Sequence, residues 1–199
     1  MSEIDSQELN KSGGLAELAR SISESTGIAS DAVFVGSING RKPAPLHLWN
    51  PEHCGDINME IRSDGTWFHE GTPIRREELM RLFAGILRRE SDGDYYLVTP
   101  VEKCRVEVAL HPLLVIDVSP LENAELPTLA LTLNAGGTVL LDAEHPLALE
   151  PRAEGAAYVQ LEHGLTALFS RAAWVRFVEM ADDSGVIESA GQRFSLLET

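Results

Sequence analysis

The chain has 199 residues, 44% of them hydrophobic, and a formal net charge of −15 at pH 7, which is enough apolar material for one large domain or two small ones. No apolar run approaches the roughly 18 residues that span a bilayer, and Met1-Ser2-Glu3-Ile4-Asp5 lacks the basic and apolar regions of a secretory signal; the expected location is the cytoplasm. The acidity excludes nucleic acid and anionic membranes as expected partners, because both are repelled at long range.

Residues 1–14 are polar and rich in Ser, Glu and Gly, the composition of a disordered tail. Leu15, Leu18, Ala19 and Ile22 then recur at helical spacing, and Thr26-Gly27 ends the pattern, so a short docking helix is predicted. Ala32-Val33-Phe34-Val35 and the turn Ile38-Asn39-Gly40 fit either a strand or an ordered arm. Residues 1–43 are therefore read as a tail with a docking helix and arm. Lys42-Pro43-Ala44-Pro45 forces an extended connection into Leu46-His47-Leu48-Trp49, since residues before proline avoid the helical region.

A first unit is predicted over 44–110. Ile57, Met59 and Ile61 alternate with Asn58, Glu60 and Arg62, which marks a half-buried strand, and Asp64-Gly65 turns it toward Trp67-Phe68-His69. Leu79, Leu82, Phe83, Ile86 and Leu87 form one apolar stripe and predict a helix over 76–90. Its opening acids, Glu77 and Glu78, and its closing bases, Arg88 and Arg89, suit the helix dipole. Tyr95 to Thr99 and the alternating 103–110 segment complete the unit as strands.

A second, strand-rich unit is predicted over 111–199. The apolar run Leu113 to Val118 reads as a central strand. Leu129, Leu131 and Leu133 lead through Asn134-Ala135-Gly136-Gly137 to Thr138-Val139-Leu140-Leu141, and Pro146 and Pro151 bracket another extended piece. A hairpin around His163-Gly164 precedes a helix capped by Ser170, with Trp174, Phe177, Val178 and Ala181 on its buried face. A last hairpin turns at Ala190-Gly191-Gln192. Both units thus read as hairpin, helix, hairpin: an α+β fold of duplicated antiparallel sheets, each carrying one main helix, with a cleft between the halves.

The chemistry is narrowed mainly by missing motifs. Cys54 and Cys104 are expected to be reduced. There is no C-x-x-C or H-E-x-x-H spacing among the His and Cys residues, no G-x-S-x-G, no Walker A loop and no G-x-G-x-x-G, so no metal, no cofactor and no catalytic residue is assigned. Half of the 16 Lys and Arg residues fall within the stretch 46–105. Such a basic sector either receives a small anionic ligand or pairs with Glu60, Glu70, Glu77, Glu78 and Glu90 on a solvated face. For a ligand, Trp67 and Tyr95 or Tyr96 offer flat rings, while Arg75, Arg76 and Lys103 meet phosphate or carboxylate. Glu102-Lys103, after Thr99-Pro100, is placed to reach a crevice. The candidate ligand-binding set is Trp67, His69, Arg75, Arg76, Tyr95, Thr99, Glu102 and Lys103.

The motifs Trp49-Asn50-Pro51, Gly55-Asp56-Ile57, Asp64-Gly65-Thr66-Trp67, Gly71-Thr72-Pro73-Ile74, Asp92-Gly93-Asp94-Tyr95 and Leu97-Val98-Thr99-Pro100 resemble a bacterial family, domain of unknown function 1285. The resemblance implies a duplicated core, a C-terminal half superficially like a pleckstrin-homology fold, a ligand site between the halves for a nucleotide-like molecule, and a part in bacterial signalling. The expected function is a non-enzymatic, small-ligand-binding or sensory protein whose ligand is anionic. The alternatives are an enzyme acting on a nucleotide-like substrate in the same cleft and a protein-interaction adaptor.

Overall fold

The computed structural model describes residues 19–26 and 44–196, apart from the side chains of His53, Cys54 and Asp56. The expected tail, Leu15 and Leu18 of the first helix, and the 31–41 segment lie outside the described residues. Residues 19–26 are helical and bury Ala19 and Ile22. Ser25 Oγ and Thr26 Oγ1 both donate to the Ile22 carbonyl, at 3.0 and 2.7 Å, which occupies an acceptor at the helix end. No helix among the described residues is long and apolar enough to cross a membrane.

Two compact units meet in sequence between Leu110 and His111. The first contains β1 (His53–Ile61), β2 (Trp67–His69), β3 (Thr72–Pro73), α1 (Glu77–Ala84), β4 (Leu87–Arg89), β5 (Tyr95–Val98) and β6 (Lys103–Val108). Its six-stranded sheet has the order β3-β2-β1-β6-β5-β4. The β1–β2 turn forms because Asp64 Oδ1 accepts from the Thr66 N–H at 2.9 Å and Gly65 takes φ 75°, a left-handed value that glycine adopts without strain.

Helix α1 is shorter than its apolar stripe predicts. Leu82 and Phe83 are buried on it, but the chain leaves the helix at Gly85 and Leu87 pairs with Leu97 in the sheet. A short apolar run satisfies helical and extended burial equally, and here the backbone of Ile86 serves β5, accepting from Val98 N at 2.9 Å. Arg88 and Arg89 accordingly stand on a strand. Arg81 is the basic residue of the last helical turn, 3.0 Å from Glu77.

The second unit contains β7 (Leu113–Pro120), β8 (Leu129–Leu133), β9 (Thr138–Leu140), β10 (Leu147–Glu150), β11 (Ala156–Gln160), β12 (Thr166–Phe169), α2 (Arg171–Val178), β13 (Val186–Ser189) and β14 (Gln192–Ser195). Its large sheet runs β10-β11-β12-β7-β8-β9, with β13-β14 as a separate pair. β7 is interior, as its apolar run predicts. Ser170 Oγ accepts from Ala173 N at 3.3 Å and caps α2. The buried face of α2 differs from expectation: Ala173 and Phe177 are buried, whereas Val178 is 43% exposed. Phe177 fits against Phe169 and Trp174, with ring centroids 4.8 and 6.0 Å away, and this rotation turns Val178 outward. In the last hairpin Ala190 and Gly191 have φ 48° and 72°, the two-residue turn whose twist matches that of paired strands. Ser189 Oγ, wholly buried, donates to Leu141 O and accepts from Leu129 N, fastening the hairpin to the sheet.

The fold is α+β and duplicated, with the same strand order in both sheets. Two features refine the expected repeat. Each sheet is mixed, since one parallel pair, β1/β6 or β7/β12, joins two antiparallel meanders. The corresponding elements are β1–β6 and β7–β12, so the helices are not equivalent: α1 lies between its meanders and α2 comes after the second.

Candidate functional site

The parallel pair sets the carboxyl ends of β1 and β6 side by side. On one side the chain turns through Asp64-Gly65 into β2, and on the other it arrives through Asp92-Gly93 into β5. Between these turns lies a cavity of about 450 Å³, lined by Glu60, Arg62, Asp94, Tyr95, Arg105 and Glu107 together with Gly93, Ala109, Ile61, Val106 and Val108. A second recess of about 290 Å³ adjoins it, sharing Glu60, Arg105 and Glu107.

Charges of both signs meet there. Glu60 and Glu107 are register partners on adjacent strands, so their carboxylates crowd one face and repel each other. Arg62 is ion-paired to Glu60 and its guanidinium lies 3.6 Å from the centroid of the Phe68 ring. Arg105 Nε is 2.7 Å from Asp94 Oδ2, both side chains being more than two-fifths exposed. Exposed pairs of this kind contribute about 0–1 kcal/mol, so the Asp94 contact adds little to stability. Tyr95 is half-buried, with the Arg89 guanidinium 5.5 Å from its ring centroid. The crevice therefore offers guanidinium donors, carboxylate acceptors and one aromatic residue.

A polar cluster farther along β4 to β6 is structural. Arg88 Nη1 donates to the carbonyls of Leu46 and Trp49 at 2.6 and 2.9 Å, and its Nη2 to Glu90 Oε1 at 2.6 Å. Burial alone would raise the Glu90 carboxyl, but the bond to Arg88 and the charges of Arg88 and Lys103 outweigh it and hold the group below its usual value. Asp92 is also held low, first by the Asp94 N–H and then by the Tyr96 hydroxyl. The same bond raises Tyr96.

The expected binding set does not assemble. Trp67 is 1% exposed and stacks on Phe83 at 6.4 Å, in the core rather than on a platform. Its Nε1 has no hydrogen-bond partner among the described residues. The register joins Ile61 to both Trp67 and Val108, and Lys103 lies on the opposite face of β6 from Val108, because alternate residues of a strand face opposite ways. Trp67 and Lys103 are thus separated by the sheet. Arg75 and Arg76 are exposed before α1 and line neither cavity. Thr99 is buried and builds a turn, its Oγ1 accepting from Val101 N and Glu102 N at 3.3 and 3.1 Å. Glu102 is half-buried in that turn. Lys103 Nζ sits 3.5 Å from Glu90 and 5.0 Å from the Tyr96 ring centroid. His69 ends β2, paired with Met59 and Thr72. Of the eight, Tyr95 reaches the crevice. Arg62 and Arg105, which belong to the basic sector of the sequence, line the crevice but are absent from that set, as are Glu60, Asp94 and Glu107; the alternation of Arg62 and Arg105 with Glu60 and Glu107 is the signal that could have found them.

A second cluster occupies the other unit. His111, 6% exposed, has Nδ1 2.8 Å from Thr166 Oγ1 and Nε2 3.1 Å from Glu150 Oε2, and its ring centroid is 4.7 Å from that of Tyr158. Glu150 accepts from the Arg152 guanidinium at 2.9 and 3.0 Å and from the Arg152 N–H at 3.0 Å. These bonds, above all that of the Arg152 side chain, hold its carboxyl at about 2. No sequence spacing links residues so far apart in the chain.

Residues 44–109 match Domain of unknown function (DUF1285), N-terminal domain, and residues 112–196 match Protein of unknown function (DUF1285), C-terminal domain. A search of curated proteins finds no match. A crystal structure of a DUF1285 family protein from Silicibacter pomeroyi DSS-3 is 37% identical with a TM-score of 0.70, over 80% of this chain and 90% of that one. Another, from Shewanella baltica OS155, is 30% identical with a TM-score of 0.51, over 62% of this chain and 91% of that one. With both domains matched in order and a solved relative aligned across most of its length, the chain belongs to the DUF1285 family.

Proposed function

We propose that the protein is a non-enzymatic, small-ligand-binding protein of the bacterial cytoplasm, acting in signalling, and that the ligand enters the crevice at the carboxyl ends of β1 and β6. The observation that carries this reading is the position of Arg62 and Arg105 in a cavity of about 450 Å³ where the chain diverges to either side of a parallel pair. In open sheets with parallel strands, ligands favour that location because the strands and their connections splay apart and leave a cleft. The ligand carries an acidic group that exchanges with Asp94 at Arg105, and donor groups that answer Glu60 and Glu107. A nucleotide-like molecule has both, with a flat base to set against Tyr95.

A thermal-shift screen of nucleotides, cyclic dinucleotides and organic acids tests the reading, because a ligand that binds only the folded state raises its apparent stability by mass action. The hit should lose its shift in Arg105→Ala, whose own melting temperature stays near that of wild type. A hit whose shift survives both Arg105→Ala and Arg62→Ala would place the site elsewhere.

A further inference from the structure

We propose that His111 is a proton-operated clasp on the edge of the second sheet, gripping β10 more tightly when its ring carries two protons than when it carries one. The clasp is defined by position. His111 enters the interior strand β7, yet its side chain meets Glu150 at the end of the edge strand β10, Tyr158 on β11 and Thr166 at the start of β12. One imidazole therefore touches three adjacent strands near the amino end of the parallel pair.

The partners fix the tautomer. An ionised carboxylate can only accept, and Glu150 is held ionised by the Arg152 side chain and N–H, so Nε2 carries the hydrogen as long as that carboxylate is ionised. In the neutral ring Nδ1 then accepts from the Thr166 hydroxyl. When Nδ1 takes up a proton, the hydroxyl rotates and accepts instead, which a threonine can do because it is both donor and acceptor. No contact is broken. The Nε2–H to Glu150 bond, charge-assisted from the carboxylate side in either state, then carries charge on both partners, and the added Coulomb attraction tightens it. Among the described residues, the Tyr158 ring lies against the imidazole, and the Arg152 guanidinium, more than half exposed to solvent, shares the Glu150 carboxylate with it. The Thr166 hydroxyl is the part of the clasp that reports the change, since its hydrogen points toward His111 in one state and away in the other.

Two measurements on the whole chain test the proposal. Long-range nitrogen-15 to proton correlation of the histidine rings at pH 8 should find His111 as the Nε2–H tautomer; the Nδ1–H tautomer would overturn the clasp. Amide exchange along β10 and β11, corrected for its intrinsic pH dependence, should be slower by about threefold or more at pH 5.5 than at pH 8, the span in which imidazoles titrate, because the ring gains a full charge beside a buried carboxylate. In His111→Gln, which keeps a neutral hydrogen-bonding side chain, that pH response should vanish. A flat or inverted wild-type profile, or a response that persists in His111→Gln and so belongs to His145 or another group, sinks the proposal.

Discussion

The two units order their strands identically and differ in where the helix is spliced in. In the first, α1 falls between the meanders, so β6 ends without a helix and the carboxyl end of the parallel pair borders the crevice. In the second, β12 runs straight into α2 through the Ser170 cap, and α2 packs back against β7, β11 and β12, with Arg176 ion-paired to Asp117 of β7. One sheet topology thus yields an open end or a helix-backed strand according to which connection carries the helix.

If α2 backs the second sheet in this way, the largest effect should come from Phe177→Ala. Phe177 is fully buried and touches Phe169 and Trp174, and such truncations cost about 3–5 kcal/mol. Urea denaturation that shows a loss below about 1 kcal/mol would mean α2 is not docked. Next is Glu150→Gln, which keeps the shape but removes the charge that answers Arg152 and His111, at about 1–3 kcal/mol. The pH dependence sharpens this. The folded carboxyl sits at about 2 and an unfolded glutamate near 4.3, so the unfolded chain binds more protons in between. The stability is fully present above about pH 4.3 and is lost as pH falls toward 2. Between pH 6 and pH 3, wild type should therefore lose more stability than Glu150→Gln; parallel losses would remove the group from acid denaturation. A smaller cost, about 1 kcal/mol, is expected for Ser170→Ala, which strips the α2 cap. Arg105→Ala should change stability least, by about 0–1 kcal/mol; a larger loss would make that arginine a structural member of the first sheet rather than part of a crevice.

Local patterns make most elements legible. Asp64-Gly65 specifies a hairpin because side chain and backbone agree there, and the nearly continuous apolar run Leu113 to Val118 announces an interior strand. Leu87 is misread as helical because burial does not distinguish the end of a helical stripe from a buried strand. The repeat is visible in the sequence through its helices, which are the elements that do not correspond, while the sheets that do correspond share too little residue pattern to be aligned by eye. The crevice suffers from a different ambiguity. An aromatic flanked by charges, such as Trp67, reads as a platform or as core, and only the pairing of Ile61 with both Trp67 and Val108 assigns it to the core. His111, Glu150 and Thr166 are joined solely by strand order, which no local pattern encodes.

The outermost strands have one more consequence, for assembly. The four strands that end the two large sheets are β3, β4, β9 and β10, and they span two, three, three and four residues. β3 ends in Pro73, which has no N–H to offer, β4 carries Arg88 and Arg89, and Pro151 comes directly after β10. Short, charged or proline-marked borders give a second polypeptide little to zip onto. Among the described residues, strand addition and fibril growth are thereby discouraged at the borders of both sheets, which offer side chains rather than a long backbone ladder.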